Sequence, residues 1–242
     1  MEFFGFETVD SIPCIYHEEL DLLVLSDLHL GLEGSMTSEG SYIPKFQLQD
    51  VIEDVEEARG KTSASRILLN GDLKNEFRKS YYSEKQEIKK FLRRLQKDFE
   101  EIIIIEGNHD KFIEKTVEDL GLEFKQKYFE DGVLFVHGHE ELDKDDFETL
   151  VIGHEHPALS LKDDIGVVEK FDCIIYGEMN SGENIVVLPA FSSISNGTRI
   201  NETPESELLS PILREDVNVS KLKAVAVSRD AGVFEFPELG KI

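Results

Sequence analysis

Glu101-Ile102-Ile103-Ile104-Ile105-Glu106-Gly107-Asn108-His109-Asp110 is the stretch whose reading decides the fold. Consecutive isoleucines, closed by glycine and polar residues, read as a buried strand. Directly after the strand stands a cluster of groups able to bind metal or move protons. The same figure recurs on both sides. Leu22–Leu25 precedes Asp27-Leu28-His29, and Ile67–Leu69 precedes Gly71-Asp72. Val133–Val136 runs into His137-Gly138-His139, and Leu150–Ile152 into Gly153-His154-Glu155-His156. These motifs hold every histidine of the chain except His17, which reads as ordinary surface or packing. Chemistry placed at the C-terminal ends of buried strands is the arrangement of an α/β fold.

Between the first three runs the pattern turns helical. Phe46, Val51, Ile52 and Val55 mark a helix over roughly Lys45–Arg59, after a loop over Gly31–Tyr42. Ile88, Phe91, Leu92, Leu95 and Phe99 recur at three- and four-residue steps, which predicts an amphipathic helix over Glu84–Phe99. A third helix is expected near Asp110, with Asp110 as its N-cap. Strand-helix alternation builds a βαβ sheet. From about Leu122 the runs become short and β-rich, with turn signals such as Asp131-Gly132 and Asn180-Ser181-Gly182. Val186–Leu188, Ala224–Val227 and Val233–Phe236 read as strands, the last two joined by a hairpin turn at Arg229–Gly232. Ser192–Ser210 reads as a long polar loop. The simplest architecture is a second, mostly antiparallel sheet packed on the first. Because the motifs from 27 to 156 must converge, a single domain over 1–242 is expected.

The chain carries 50 acidic and 26 basic residues, a formal charge of −24. That balance works against nonspecific nucleic-acid binding, which depends on neutralising phosphates. No apolar run approaches a membrane span. Two cysteines without a Cys-x-x-Cys pair, Cys14 and Cys173, point to a reducing compartment, hence a cytoplasmic protein.

The motifs supply carboxylates, an amide and imidazoles. In extended chain, residues i and i+2 point the same way, so Asp27 and His29 can grip one cation, and so can His154 and His156. An N/O set suits Mn, Fe, Zn, Ni or Co. Asp72 can bridge two cations, which sit about 3.5–4 Å apart in such centres. Paired cations acidify a shared water to a hydroxide able to attack phosphorus. His109, next to the ligand-type Asn108 and expected to point away from the metals, is the candidate general acid.

In its order of Asp-x-His, Gly-Asp, Gly-Asn-His-Asp, His-Gly-His and Gly-His-x-His, the chain resembles the calcineurin-like metallophosphoesterase superfamily. The strings Leu25–Gly31, Gly153–Pro157 and Val187–Ser192 resemble its small ICC-like branch, which includes DNA-ligase-associated phosphodiesterases. The resemblance implies a four-layer α/β/β/α sandwich of two mixed β-sheets flanked by helices. It implies one metal on Asp27, His29, Asp72 and His156, a second on Asp72, Asn108, His137 and His154, and His109 as the catalytic histidine. The metals are expected to be Mn²⁺. Many relatives read Gly-Asp-x-x-Asp, whereas this chain ends that block with Asn75, which can orient His109 but not supply charge.

The implied activity is a phosphodiesterase acting on a small or nucleotide-derived ester. A nuclease acting in repair, with a link to DNA repair proteins, is one alternative, and a metal-binding scaffold without catalysis is another. Substrate contacts are sought at Arg78, in the loop Lys74–Ser83 with Lys79, Tyr81 and Tyr82, and at Arg199. His139 reads equally as a substrate contact, a support for a ligand, or packing. Lysines and arginines along the Glu84–Phe99 helix read as a solvated face.

Overall fold

The computed structural model describes residues 1–34, 46–143, 146–162, 166–192 and 197–242. The first sheet runs in chain order: β1 (Glu2–Phe3), β2 (Phe6–Val9), β3 (Ile12–His17), β4 (Leu22–Leu25), β5 (Arg66–Asn70), β6 (Glu101–Ile105) and β7 (Phe124–Lys125). β1 to β4 form an antiparallel meander, and β4 to β7 are parallel. The second sheet holds β8 (Tyr128–Glu130), β9 (Val133–Phe135), β10 (Thr149–Ile152), β11 (Pro157–Lys162), β12 (Val168–Glu178), β13 (Asn184–Val187), β14 (Thr198–Arg199), β15 (Lys223–Ser228) and β16 (Gly232–Glu238). Its pairings are mostly antiparallel, but β9, β10 and β13 form a parallel centre.

Side-chain alternation along the strands makes the layers. Leu23 and Leu25 of β4 pack with Val51, Val55, Phe91 and Leu92, which belong to the helices α1 (Gln47–Thr62) and α2 (Tyr82–Asp98). Leu22 and Val24, one residue out of phase, meet Phe135, Val151, Val186 and Leu188 of the opposing sheet. Leu150, Ile152, Ile185 and Val187 face outward again, onto Leu208, Ile212, Leu213 and Val217. A short helix at Pro211–Glu215 lies in that last layer, while α3 (Glu114–Glu118) adds to the first. The result is the expected α/β/β/α order of two mixed sheets, with a thin fourth layer. Each fully buried Phe or Leu stabilises the fold by about 1.5–3 kcal/mol over an exposed one.

Several expectations are corrected. The N-terminal meander through His17 went unread, although Ile12, Cys14 and Tyr16 are all buried. The third helix begins at Glu114 after Ile113, not at Asp110. The Ser192–Ser210 stretch is not simply loop: Thr198–Arg199 pairs with β11 and Glu205–Glu207 makes a 3-10 turn. Positions 193–196 of that stretch, 35–42 of the expected first loop and Lys45 lie outside the described residues. The β15–β16 turn forms as expected, and its Arg229 reaches Asp54 and Glu57 of α1. Among the described residues, no helix is long and apolar enough to cross a membrane.

Candidate metal centre

All five motifs leave the C-terminal ends of parallel strands, β4, β5 and β6 in one sheet and β9 and β10 in the other. Their side chains converge between the sheets. The ligand atoms of Asp27, His29 and His156 lie within 4.8 Å of one another, as do those of Asp72, His137 and His154, and those of His29, Asp72 and His109. Asp72 stands between the first two groups, with Oδ2 3.9 Å from His29 Nε2 and 3.4 Å from His137 Nε2. Asn108 joins on the second side, its Oδ1 3.3 Å from His137 Nε2.

Convergence is not achieved by extended chain. Asp27, His29, Asp72, His154 and His156 take φ of 58, 43, 53, 65 and 49°. Left-handed backbone is uncommon for such residues and is held only where the surroundings impose it. Here hydrogen bonds impose it. Asp27 N donates to Gly71 O (3.1 Å), His29 N to Asp72 O (3.0 Å), and His154 N to Asp27 Oδ2 (3.0 Å). Two glycines permit the crowding. A Cβ on Gly107 would overlap the Asp72 carboxylate, and one on Gly153 would overlap Ser26 and Asp27.

The donor chemistry fits divalent cations. His137 Nδ1–H donates to Asn70 O at 2.8 Å, which leaves Nε2 to face Asn108 Oδ1 and Asp72 Oδ2. A divalent cation among these three atoms would take the place of the Nε2 proton. Buried Asp27 Oδ1 lies 2.9 Å from His156 Nε2 and 3.9 Å from the Nε2 atoms of His29 and His137. Burial opposes charge on Asp27, yet His156 beside it holds the carboxyl down at about 2. Burial likewise opposes charge on Asp72, which His137, His29 and His109 hold well below the usual carboxylate range. Burial pushes His29 and His154 down to about 4, the neutral, ligating form. His137 goes the other way, to about 9, because the Asp72 charge outweighs burial. Neither cysteine takes part: Cys14 and Cys173 are buried in the sheets.

His109 stands at the edge of the centre. Its Nε2 faces inward, 3.9 Å from Asp72 Oδ2, rather than away from the metals. Nδ1–H donates to the main-chain oxygen of Asn75 at 2.6 Å. The carbonyl, not the side chain, therefore orients the imidazole at the position where an aspartate was missed. Asp110 is not a helix cap. Its Oδ1 accepts from Leu73 N (2.8 Å) and Lys74 N (3.3 Å), and Oδ2 accepts from Gly107 N (2.9 Å). This fully buried carboxyl staples the Gly-Asp loop to the Gly-Asn-His-Asp loop, and burial next to Asp72 raises it to about 7.

Of the expected substrate contacts, His139 stands nearest, 5.3 Å from the His137 ring and 6.0 Å from that of His154. Arg199 is exposed and pairs with Glu202; Thr198 N, just before it, bonds His156 O. Arg78 is exposed, and its guanidinium has no polar contact among the described residues. Tyr82 is exposed in the first turn of α2. His17 is packing: it is buried, edge-on to Phe6. Sequence reasoning missed Phe77, whose ring packs edge-on against His109 at 5.3 Å. An apolar residue in a charged loop gave no signal.

The sequence profile described as calcineurin-like phosphoesterase matches residues 20–220. Among solved structures, the chain is similar to nuclease MPE from Pseudomonas putida, at 15% identity and TM-score 0.63, over 93% of this chain and 92% of that one. It is also similar to YfcE, a phosphoesterase from E. coli, at 18% identity and TM-score 0.39, over 86% of this chain and 88% of that one. The first likeness shows a shared fold. No curated protein matches the chain in sequence.

Proposed function

The chain belongs to the calcineurin-like phosphoesterase family, and from that premise we propose that it is a phosphodiesterase using two divalent cations, Mn²⁺ foremost. The observation that carries the reading is the meeting of two ligand groups on Asp72 with His109 beside them. Asp27, His29, Asp72 and His156 would hold one cation, and Asp72, Asn108, His137 and His154 the other. Such cations supply a water acidified enough to attack phosphorus at neutral pH, and positive charge against the phosphoryl oxygens. His109, fixed through Nδ1–H, presents Nε2 to the leaving group and delivers the proton it needs. The substrate is a small or nucleotide-derived ester, and the setting is the cytoplasm, in keeping with two buried free thiols.

A nuclease with a link to DNA repair is the second reading, and one observation favours it. The cleft between α1 and α2 is lined by Lys89, Lys90, Arg93, Arg94 and Lys97 on an otherwise acidic chain. Arg94 and Lys89 are paired with acids, but Lys90, Arg93 and Lys97 have no ion pair among the described residues. The deciding experiment strips the protein, reconstitutes it with Mn²⁺, and compares bis(p-nitrophenyl) phosphate with p-nitrophenyl phosphate. Turnover of the diester that vanishes in His109→Ala at unchanged metal content supports the phosphodiesterase. Metal retained with neither ester hydrolysed favours the non-catalytic scaffold.

A further inference from the structure

The loop between β5 and α2 is fastened from beneath. Lys74, wholly buried, donates from Nζ to the main-chain oxygens of Glu76 and Lys79. Glu84 of α2, also buried, accepts from Glu76 N (3.1 Å) and Ser80 Oγ (2.9 Å). Between these anchors the chain raises Phe77, 45% exposed. One edge of the contact is His109; Lys111 Nζ lies 5.9 Å from the ring centroid. The following residue, Phe112, is 54% exposed and sits at φ 76°. Left-handed backbone at a bulky residue is an outlier that points to an imposed conformation. Single exposed rings on a surface are ordinary. A ring held on an anchored loop against the candidate acid, with a lysine over it, is not scattered in that way.

We propose that Phe77, with Lys111 beside it, is a stacking platform for the nucleobase of the leaving group. The inference rests on the phosphodiesterase reading and narrows its substrate to nucleotide-derived esters. Stacking suits the geometry, because every base has a flat face and an aromatic ring accepts it without reading its edges. The leaving-group side is assigned because Phe77 touches the residue placed to protonate that group. Lys111 supplies a cation for a phosphate next to the base.

The test uses the Mn²⁺-loaded protein and two substrates. One is the dinucleotide of thymidine; the other carries tetrahydrofuran in place of the leaving-side base. Wild type is expected to prefer the complete dinucleotide by about tenfold in kcat/KM, the scale of one stacked base. Phe77→Ala brings that ratio close to one, Phe77→Tyr restores it, and Phe129→Ala, an exposed ring on β8, does not alter it. A ratio near one in wild type, or a ratio that survives Phe77→Ala, overturns the proposal. Failure of the wider reading looks different, since the p-nitrophenyl esters then go unhydrolysed too. In that case titration decides: thymidine 5′-monophosphate binding about tenfold tighter than inorganic phosphate, and only with Phe77 present, upholds the platform. Equal binding of both overturns it.

Discussion

Lys74→Met removes the ammonium beneath the Phe77 loop while keeping an unbranched side chain of similar length. Lys74 has no exposed surface, so what its nitrogen leaves behind is buried as well. The main-chain oxygens of Glu76 and Lys79 lose a donor. Each abandoned buried acceptor costs about 1–3 kcal/mol. Two offsets apply. Lys79 is exposed and Glu76 half-buried, so water reaches those oxygens, and methionine avoids desolvating an ammonium. A net loss of about 2–3 kcal/mol remains, which at this chain length lowers Tm by about 4–12 °C.

The functional consequence is larger than the thermal one. Asn75 O, the acceptor for His109 Nδ1–H, is on the residue next to Lys74. A misplacement of about 1 Å in a catalytic group costs about a hundredfold in rate. The assay pairs urea unfolding at saturating Mn²⁺ with kcat on bis(p-nitrophenyl) phosphate, and with metal content as control. Stability lost by less than about 0.5 kcal/mol, within the ordinary range for a surface change, together with an unaltered kcat, would refute the fastening of this loop by Lys74.

Asp72→Asn is expected to abolish the thermal gain that Mn²⁺ gives the stripped protein. At a hundredfold excess over Kd, each bound ion stabilises by about 2.7 kcal/mol, and elemental analysis should show the metal missing from the variant. Gly107→Ala keeps every ligand but drives a Cβ into the Asp72 carboxylate; metal affinity should fall at least about tenfold with the fold intact by circular dichroism. His17 gives a pH dependence of stability. Burial lowers its pKa from 6.5, and Nδ1 accepts from Leu20 N, so the folded state favours the neutral ring. The unfolded chain takes the proton first as pH drops below that value, so stability declines there. His17→Gln should flatten this decline in urea midpoints measured from pH 7 to 5.

What the sequence disclosed and what it withheld divide along a physical line. The candidate ligand positions stood out because metal chemistry restricts residue type, and the side chains of Asp27, His29, Asp72, Asn108, His137, His154 and His156 converge on one place. Isoleucine and leucine runs likewise announced β4, β5 and β6, since burial on both faces demands them. The supports were not legible, because their partners are mostly main-chain atoms that any residue supplies. Asp110 looked like a cap since its acceptors serve nitrogens at residues 73, 74 and 107, brought close only by the fold. The left-handed turns at Asp27 and His154 have no residue signature either.

Asn75 puts that division to the test. A sequence comparison weighs its side chain as a missing aspartate. The structure gives its work to the main chain: Asn75 O orients His109, and Asn75 N donates to Leu30 O at 3.1 Å. Asn75→Ala keeps both atoms, so kcat should stay within about twofold. Asn75→Asp should do no better, since the Nδ1 proton is already engaged by the carbonyl. A tenfold loss in Asn75→Ala with metal content intact would return the orienting role to the side chain.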